Sequence, residues 1–127
     1  MSNWFKYFLL IATGFLILFI CSLFQNSVMP QKGEYYYSEF LRNNYTISAA
    51  VVFFIAGIPA GYFLKLNPWL TGICLILIFP VTSLYEATVY KGSHNLIPFE
   101  FVIHFLYALP GIIGAYAGGL LFKRYSK

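Results

Sequence analysis

Four residues in the second half of this chain combine acid–base and ligand chemistry: Glu86, His94, Glu100 and His104. Glu100 and His104 are four positions apart, which places them on one face of a helix. Glu86 and His104 each fall about one helical turn inside the end of an apolar stretch, and His94 lies on the short connection between the two stretches. The connection brings the stretches together, so Glu86, Glu100 and His104 are expected to converge near one surface. Two histidines and two carboxylates are suitable zinc ligands. The spacings that mark a dedicated metal site, C-x-x-C and H-E-x-x-H, do not occur. Three readings follow: an interfacial cluster with Glu86 paired to His104 or Lys91, an outer binding site for a partner, lipid headgroup or small ligand, and a metal or catalytic site. In the second reading Pro98 would stiffen the loop and Asn95 would supply turn hydrogen bonds.

Other chemistry is sparse. The chain contains no Asp, which removes Ser-His-Asp triads and aspartate dyads, and it has neither a G-x-S-x-G elbow nor a P-loop. Gly111 and Gly114 sit inside an apolar run, where they cannot cradle a phosphate. Cys21 and Cys74 fall in segments running in the same direction, at depths that differ by ~13 Å for a rise of ~1.5 Å per residue. That separation exceeds the ~7 Å reach of a disulfide, so both read as small buried hydrophobes. The sequence implies no cofactor.

The elements that must position these residues are four apolar stretches, about 5–28, 45–64, 69–90 and 101–122. Each has the ~20 residues an α-helix needs to cross ~30 Å of hydrocarbon. Charged residues make up 9% of the 127-residue chain and fall between or outside these stretches, with few exceptions. A soluble domain carries about 25%. The reading is an all-α integral membrane protein, a single four-span domain in an up-down helical bundle. The first stretch is longer than a ~7–15-residue secretory h-region and lacks a small-residue cleavage site, so it reads as a retained helix. Residues 51–59 align with 102–110, and Thr13-Gly14 echoes Thr71-Gly72. A true duplication would make the bundle two tandem helical hairpins.

An even number of spans puts both termini on one side. Lys6, Lys65, Lys123, Arg124 and Lys127 fall on that side, and Lys32, Arg42 and Lys91 on the other. The basic excess orients both termini to the cytoplasm of a bacterial-type inner membrane. The formal charge of +4 therefore belongs to lipid and topology, not to nucleic acid. Aromatic residues such as Trp4, Trp69, Tyr45 and Tyr90 mark the interfaces, and Ser38–Arg42 is expected to form one short interfacial turn. Pro59, Pro80 and Pro110 predict a kink in each of the last three spans. Gly57-x-x-x-Gly61 and Gly114-x-x-x-Gly118 give spans two and four faces that pack closely, on each other or on a second copy.

The expectation is a small non-enzymatic membrane protein that binds another membrane protein or lipid in an accessory, assembly or immunity-type role. The middles of the spans carry no Asp, Glu, Lys or Arg, whereas a proton-coupled carrier keeps an ionisable group at that depth. A small homo-oligomeric channel or transporter, motivated by the prolines and glycine faces, is the alternative. A metal-dependent membrane enzyme using the Glu/His cluster is a third.

Overall fold

A computed structural model describes residues 2–24, 37–90 and 97–125. Every element among them is helical: α1 (Asn3–Phe24), α2 (Tyr37–Asn44), α3 (Ile47–Pro59), α4 (Pro68–Leu75), α5 (Ile78–Val89) and α6 (Ile97–Tyr125). Past Pro59 the third helix winds on as a wider π-helical segment, Ala60–Leu64. Proline has no N–H to give the carbonyl four residues back, and a change of helical register there accommodates the loss. Three helices, α1, α3 with its π-helical extension, and α6, are long and apolar enough to cross a membrane. The pair α4 and α5 makes a fourth if counted as one bent span.

That pair departs from the sequence expectation of one kinked helix over 69–90. The two helices meet at 52°, and the break lies at Ile76–Leu77, not at the proline itself. The proline ring collides with the carbonyl four residues earlier, which for Pro80 is that of Ile76. The chain tightens to compensate: the Ile76 N–H turns to the Ile73 oxygen at 3.2 Å, and the Phe79 N–H takes the Ile76 oxygen at 3.0 Å. The Thr82 hydroxyl donates to the carbonyls of Ile78 and Phe79, anchoring the new helix start. By contrast α6 runs through Pro110 unbroken, and it extends beyond the expected 101–122 at both ends.

The turn into α4 is short and specified locally. Lys65 adopts a left-handed conformation (φ 53°), Asn67 caps α4 by accepting the Trp69 N–H at 2.9 Å, and Pro68 fills the first helical position. Lys6 of α1 donates to the Leu64 carbonyl at 3.1 Å, and the Lys65 ammonium lies 3.9 Å from the centre of the Phe122 ring. These contacts gather the start of α1, the end of the third helix and the end of α6 at one end of the bundle. Two basic residues there satisfy a helix-end carbonyl and an aromatic face while remaining at the apolar boundary.

Helix α6 is the centre of the packing and touches both α3 and α4, which meet it together at Gly111. Glycines set the distances. A Cβ on Gly57 would strike the Gly111 oxygen, one on Gly61 the Ala115 oxygen, one on Gly114 the Phe54 oxygen, and one on Gly118 the Ile58 oxygen. The small-residue faces of α3 and α6 are therefore closed against each other within one chain. Gly72 of α4 meets Ile112 and the Ala108 oxygen of α6 in the same way, and Gly14 of α1 meets the Leu75 oxygen. Helix α1 is otherwise peripheral. Phe8, Phe15, Phe19 and Leu23 are each more than half exposed along its outer face. In a bilayer, such side chains are solvated by acyl chains.

Adding a methyl group where the backbone already touches forces helices apart, and overpacking of this kind costs about 1–3 kcal/mol. Gly61→Ala and Gly118→Ala should each lower the midpoint of thermal unfolding in a fixed detergent by that equivalent. Gly119 has no neighbour within 4 Å, so Gly119→Ala should be neutral or stabilise by up to about 1 kcal/mol. Equal effects at all three positions would contradict the packing described.

Candidate functional site

Helix α2 is eight residues long and amphipathic, longer than the single turn expected over Ser38–Arg42. Phe40 and Leu41 turn inward with the buried Asn44, while Glu39, Arg42 and Asn43 stay exposed. Glu39 and Arg42 lie 3.8 Å apart on the open face, a contact too solvated to add much stability. The inward side of α2 meets α5 and α1.

The joint between α2 and α5 is Glu86. Its side chain is 0% exposed, and its carboxylate accepts both the backbone N–H of Ser38, at 3.0 Å, and the Ser38 hydroxyl. Ser38 occupies the first turn of α2, where backbone N–H groups have no partner inside the helix and the dipole is positive. A carboxylate is the complement to that terminus, and burial strengthens the attraction while making it costly to break. Buried Phe79, Ser83 and Glu86 line the inward face of α5. The Ser83 hydroxyl, 1% exposed, makes no hydrogen bond among the described residues.

One turn deeper, aromatic rings join the first half of α6 to α3 and α5. Tyr45 precedes α3 and stacks on Tyr107 with centroids 4.1 Å apart, meeting Phe53 at 5.7 Å and Phe79 edge-on at 5.8 Å. Its hydroxyl donates to the Tyr107 carbonyl at 2.7 Å, which gives the buried phenol the partner it needs. His104 is buried in the same cluster, 5.8 Å from Phe79, 5.9 Å from Phe101 and 6.4 Å from Tyr107. Glu100 is half-buried in the first turn of α6. His94 lies outside the described residues. Among the described residues no three of His, Cys, Asp and Glu gather in a way that could hold a metal ion.

Of the four residues singled out by their chemistry, Glu86 thus acts as the anchor for a helix that precedes it by 48 positions. His104 belongs to an aromatic cluster. Ser38 and Tyr45, expected only as part of an interfacial turn and as an interface aromatic, instead join α2 to α5 and α3 to α6. Asn44 is a buried polar group that composition and spacing did not single out. The alternation of Phe40, Leu41 and Asn44 with Arg42 and Asn43 does signal the amphipathic helix. Two concavities flank these elements. One, of about 210 Å³, lies between α1, α2 and α5 and includes Asn44 and Thr82 in its wall. The other, of about 740 Å³, is an apolar groove between α1 and α4 lined by Trp4, Phe8, Leu70 and Cys74 among others.

Comparison with known protein families, curated proteins and solved structures finds no match. The Ser38–Glu86 joint has a direct test. A hydrogen bond to a charged group contributes about 1.5–3 kcal/mol. Ser38→Ala should therefore speed amide exchange across α2 at least tenfold, while exchange in α6 stays unchanged. Glu86→Gln, which retains an acceptor, should have a smaller effect than Glu86→Ala. Exchange in α2 that ignores all three substitutions would show that Glu86 does not hold this helix.

Proposed function

We propose that this is a four-span, up-down helical protein of a bacterial inner membrane, both termini cytoplasmic, that acts by binding another membrane protein. The bent pair α4–α5 counts as the third span in this reading. Helix α2 lies along the interface on the outer side and forms the contact element, presenting Glu39, Arg42 and Asn43. Accessory, assembly and immunity-type roles all use such a contact.

The observation that carries the reading is the buried Glu86 carboxylate locking the first turn of α2. Placing an ionisable group inside a membrane span is expensive and calls for a role. Here the role is to fix a short amphipathic helix whose polar face points away from the bundle. A preorganised helix loses less conformational freedom on binding than a loop would. The glycine faces that motivate self-assembly are occupied within the chain. Among the described residues, α2 presents an exposed polar face to a partner.

A photoreactive amino acid in place of Glu39 or Arg42, activated in native membranes, should give a discrete adduct heavier than the 14.5 kDa chain and containing a second protein. The same residue in place of Leu16, on the exposed apolar face of α1, serves as the control. Protein adducts of equal yield at all three positions, or none at α2, would refute the reading. Orientation is tested separately in a variant lacking Cys21 and Cys74. An impermeant thiol reagent should label Asn43→Cys, and not Asn3→Cys, in intact spheroplasts.

A further inference from the structure

We propose that the cavity between α1, α2 and α5 binds a single acyl chain whose neutral polar end carries a hydrogen-bond donor, as in a monoacylglycerol. The proposal does not rest on the partner-binding role. Leu18 and Phe19 of α1, Phe40 of α2 and Ile78 of α5 supply apolar walls around about 210 Å³. For scale, an apolar protein cavity of about 150 Å³ holds a benzene molecule. The space therefore suits a length of hydrocarbon, and its position against two apolar helices puts it within reach of lipid chains.

The polar part of the wall selects the other end of the ligand. Asn44 is 3% exposed and lines the cavity. Its amide nitrogen donates to the Phe40 carbonyl at 2.8 Å, and no described residue donates to its carbonyl oxygen. An amide oxygen beside apolar walls favours a hydrogen-bond donor, which a ligand O–H or N–H supplies. Of the other polar side chains in the wall, Ser22 donates to the Phe19 carbonyl at 2.7 Å and Thr82 to that of Ile78 at 2.8 Å, and Tyr37 is mostly exposed. Among the described residues no charged side chain lines the cavity, and none of them compensates a phosphate or carboxylate. The site asks for a neutral donor above a single apolar chain, without the phosphate that a diacyl phospholipid carries beside its headgroup donors.

The test uses the full chain in phosphatidylcholine vesicles with a monoacylglycerol bearing a diazirine midway along its chain. Photolabelling should saturate and should map to residues 15–22 and 40–44. Excess unlabelled monoacylglycerol should displace it, and the matching fatty-acid methyl ester, which lacks a donor, should not. Asn44→Leu keeps the size of the side chain and removes the acceptor, and should weaken labelling at least fivefold. Ser22→Phe fills the cavity from α1 and should abolish it. Ser22 bonds only within its own helix, so this variant decides the matter if Asn44→Leu does not fold. Unsaturable labelling spread along the exposed faces of α1 and α3 would overturn the site. Equal displacement by the methyl ester would overturn the role given to Asn44.

Discussion

Backbone contact at glycine is the constraint on which this structure depends. Hydrocarbon solvates Leu, Ile and Phe as well as a protein interior does, so burying them against one another provides little drive for helices to associate in a bilayer. What remains is close packing and whatever polar interactions the backbones can make. At Gly14, Gly57, Gly61, Gly114 and Gly118 the atom nearest the position of a missing Cβ is a carbonyl oxygen of the neighbouring helix. The glycine Cα–H bond points at that oxygen. Such contacts contribute about 0.5–1 kcal/mol each, and here they come in series along α3 and α6. Any side chain at these positions would remove the attraction and the packing together.

The α4–α5 break extends the same logic. A helix interrupted within a membrane leaves carbonyls without their usual partners, and lipid offers none. The break at Ile76–Leu77 tightens its own hydrogen bonds, and the Leu75 oxygen just before it meets the bare backbone of Gly14. One glycine in the peripheral helix α1 therefore serves two ends: it lets α1 approach, and it gives a disturbed carbonyl a neighbour. Beyond the break, the tilt of α5 sets the direction in which Glu86 projects. That allows Glu86 to reach Ser38 on a helix that does not cross the bundle. The proline, the glycine and the carboxylate act in sequence on one feature, the placement of α2.

Much of this scaffold is readable from residue type alone, because helices apolar enough to cross a membrane are long and interrupted by few charges. The four-residue glycine spacing in 57–61 and 114–118 marks faces for close approach, yet spacing does not name the helix each face meets. Pro80 announces an irregular third span. That the chain breaks four residues earlier is a consequence of where the ring meets the preceding turn. The candidate site was less legible. Glu86 stands out because a carboxylate inside an apolar stretch is conspicuous, and so does His104. Ser38, by contrast, is an ordinary serine until the fold brings it to Glu86 across 48 positions. Asn44 looks like a turn residue, and only the arrangement of α1, α2 and α5 makes it a buried amide. Polarity within a span can be seen locally, whereas pairing between a span and a surface helix is set by tertiary geometry.

The two ends of the bundle are consequently held by different physics. At the end carrying the termini, backbones touch, and a basic side chain closes a helix-end carbonyl. Backbone-to-backbone contact has no rotamers to exchange, so it permits one arrangement. At the other end, α2 is attached through a serine, a carboxylate and a rim of Phe40, Leu41 and Asn44 around a cavity. The attachment of α2 therefore depends on side-chain geometry at Ser38, Glu86 and Asn44, whereas the frame of α3, α4 and α6 depends on backbone contact at glycine, and a single substitution at Glu86 can free the surface helix without parting the frame.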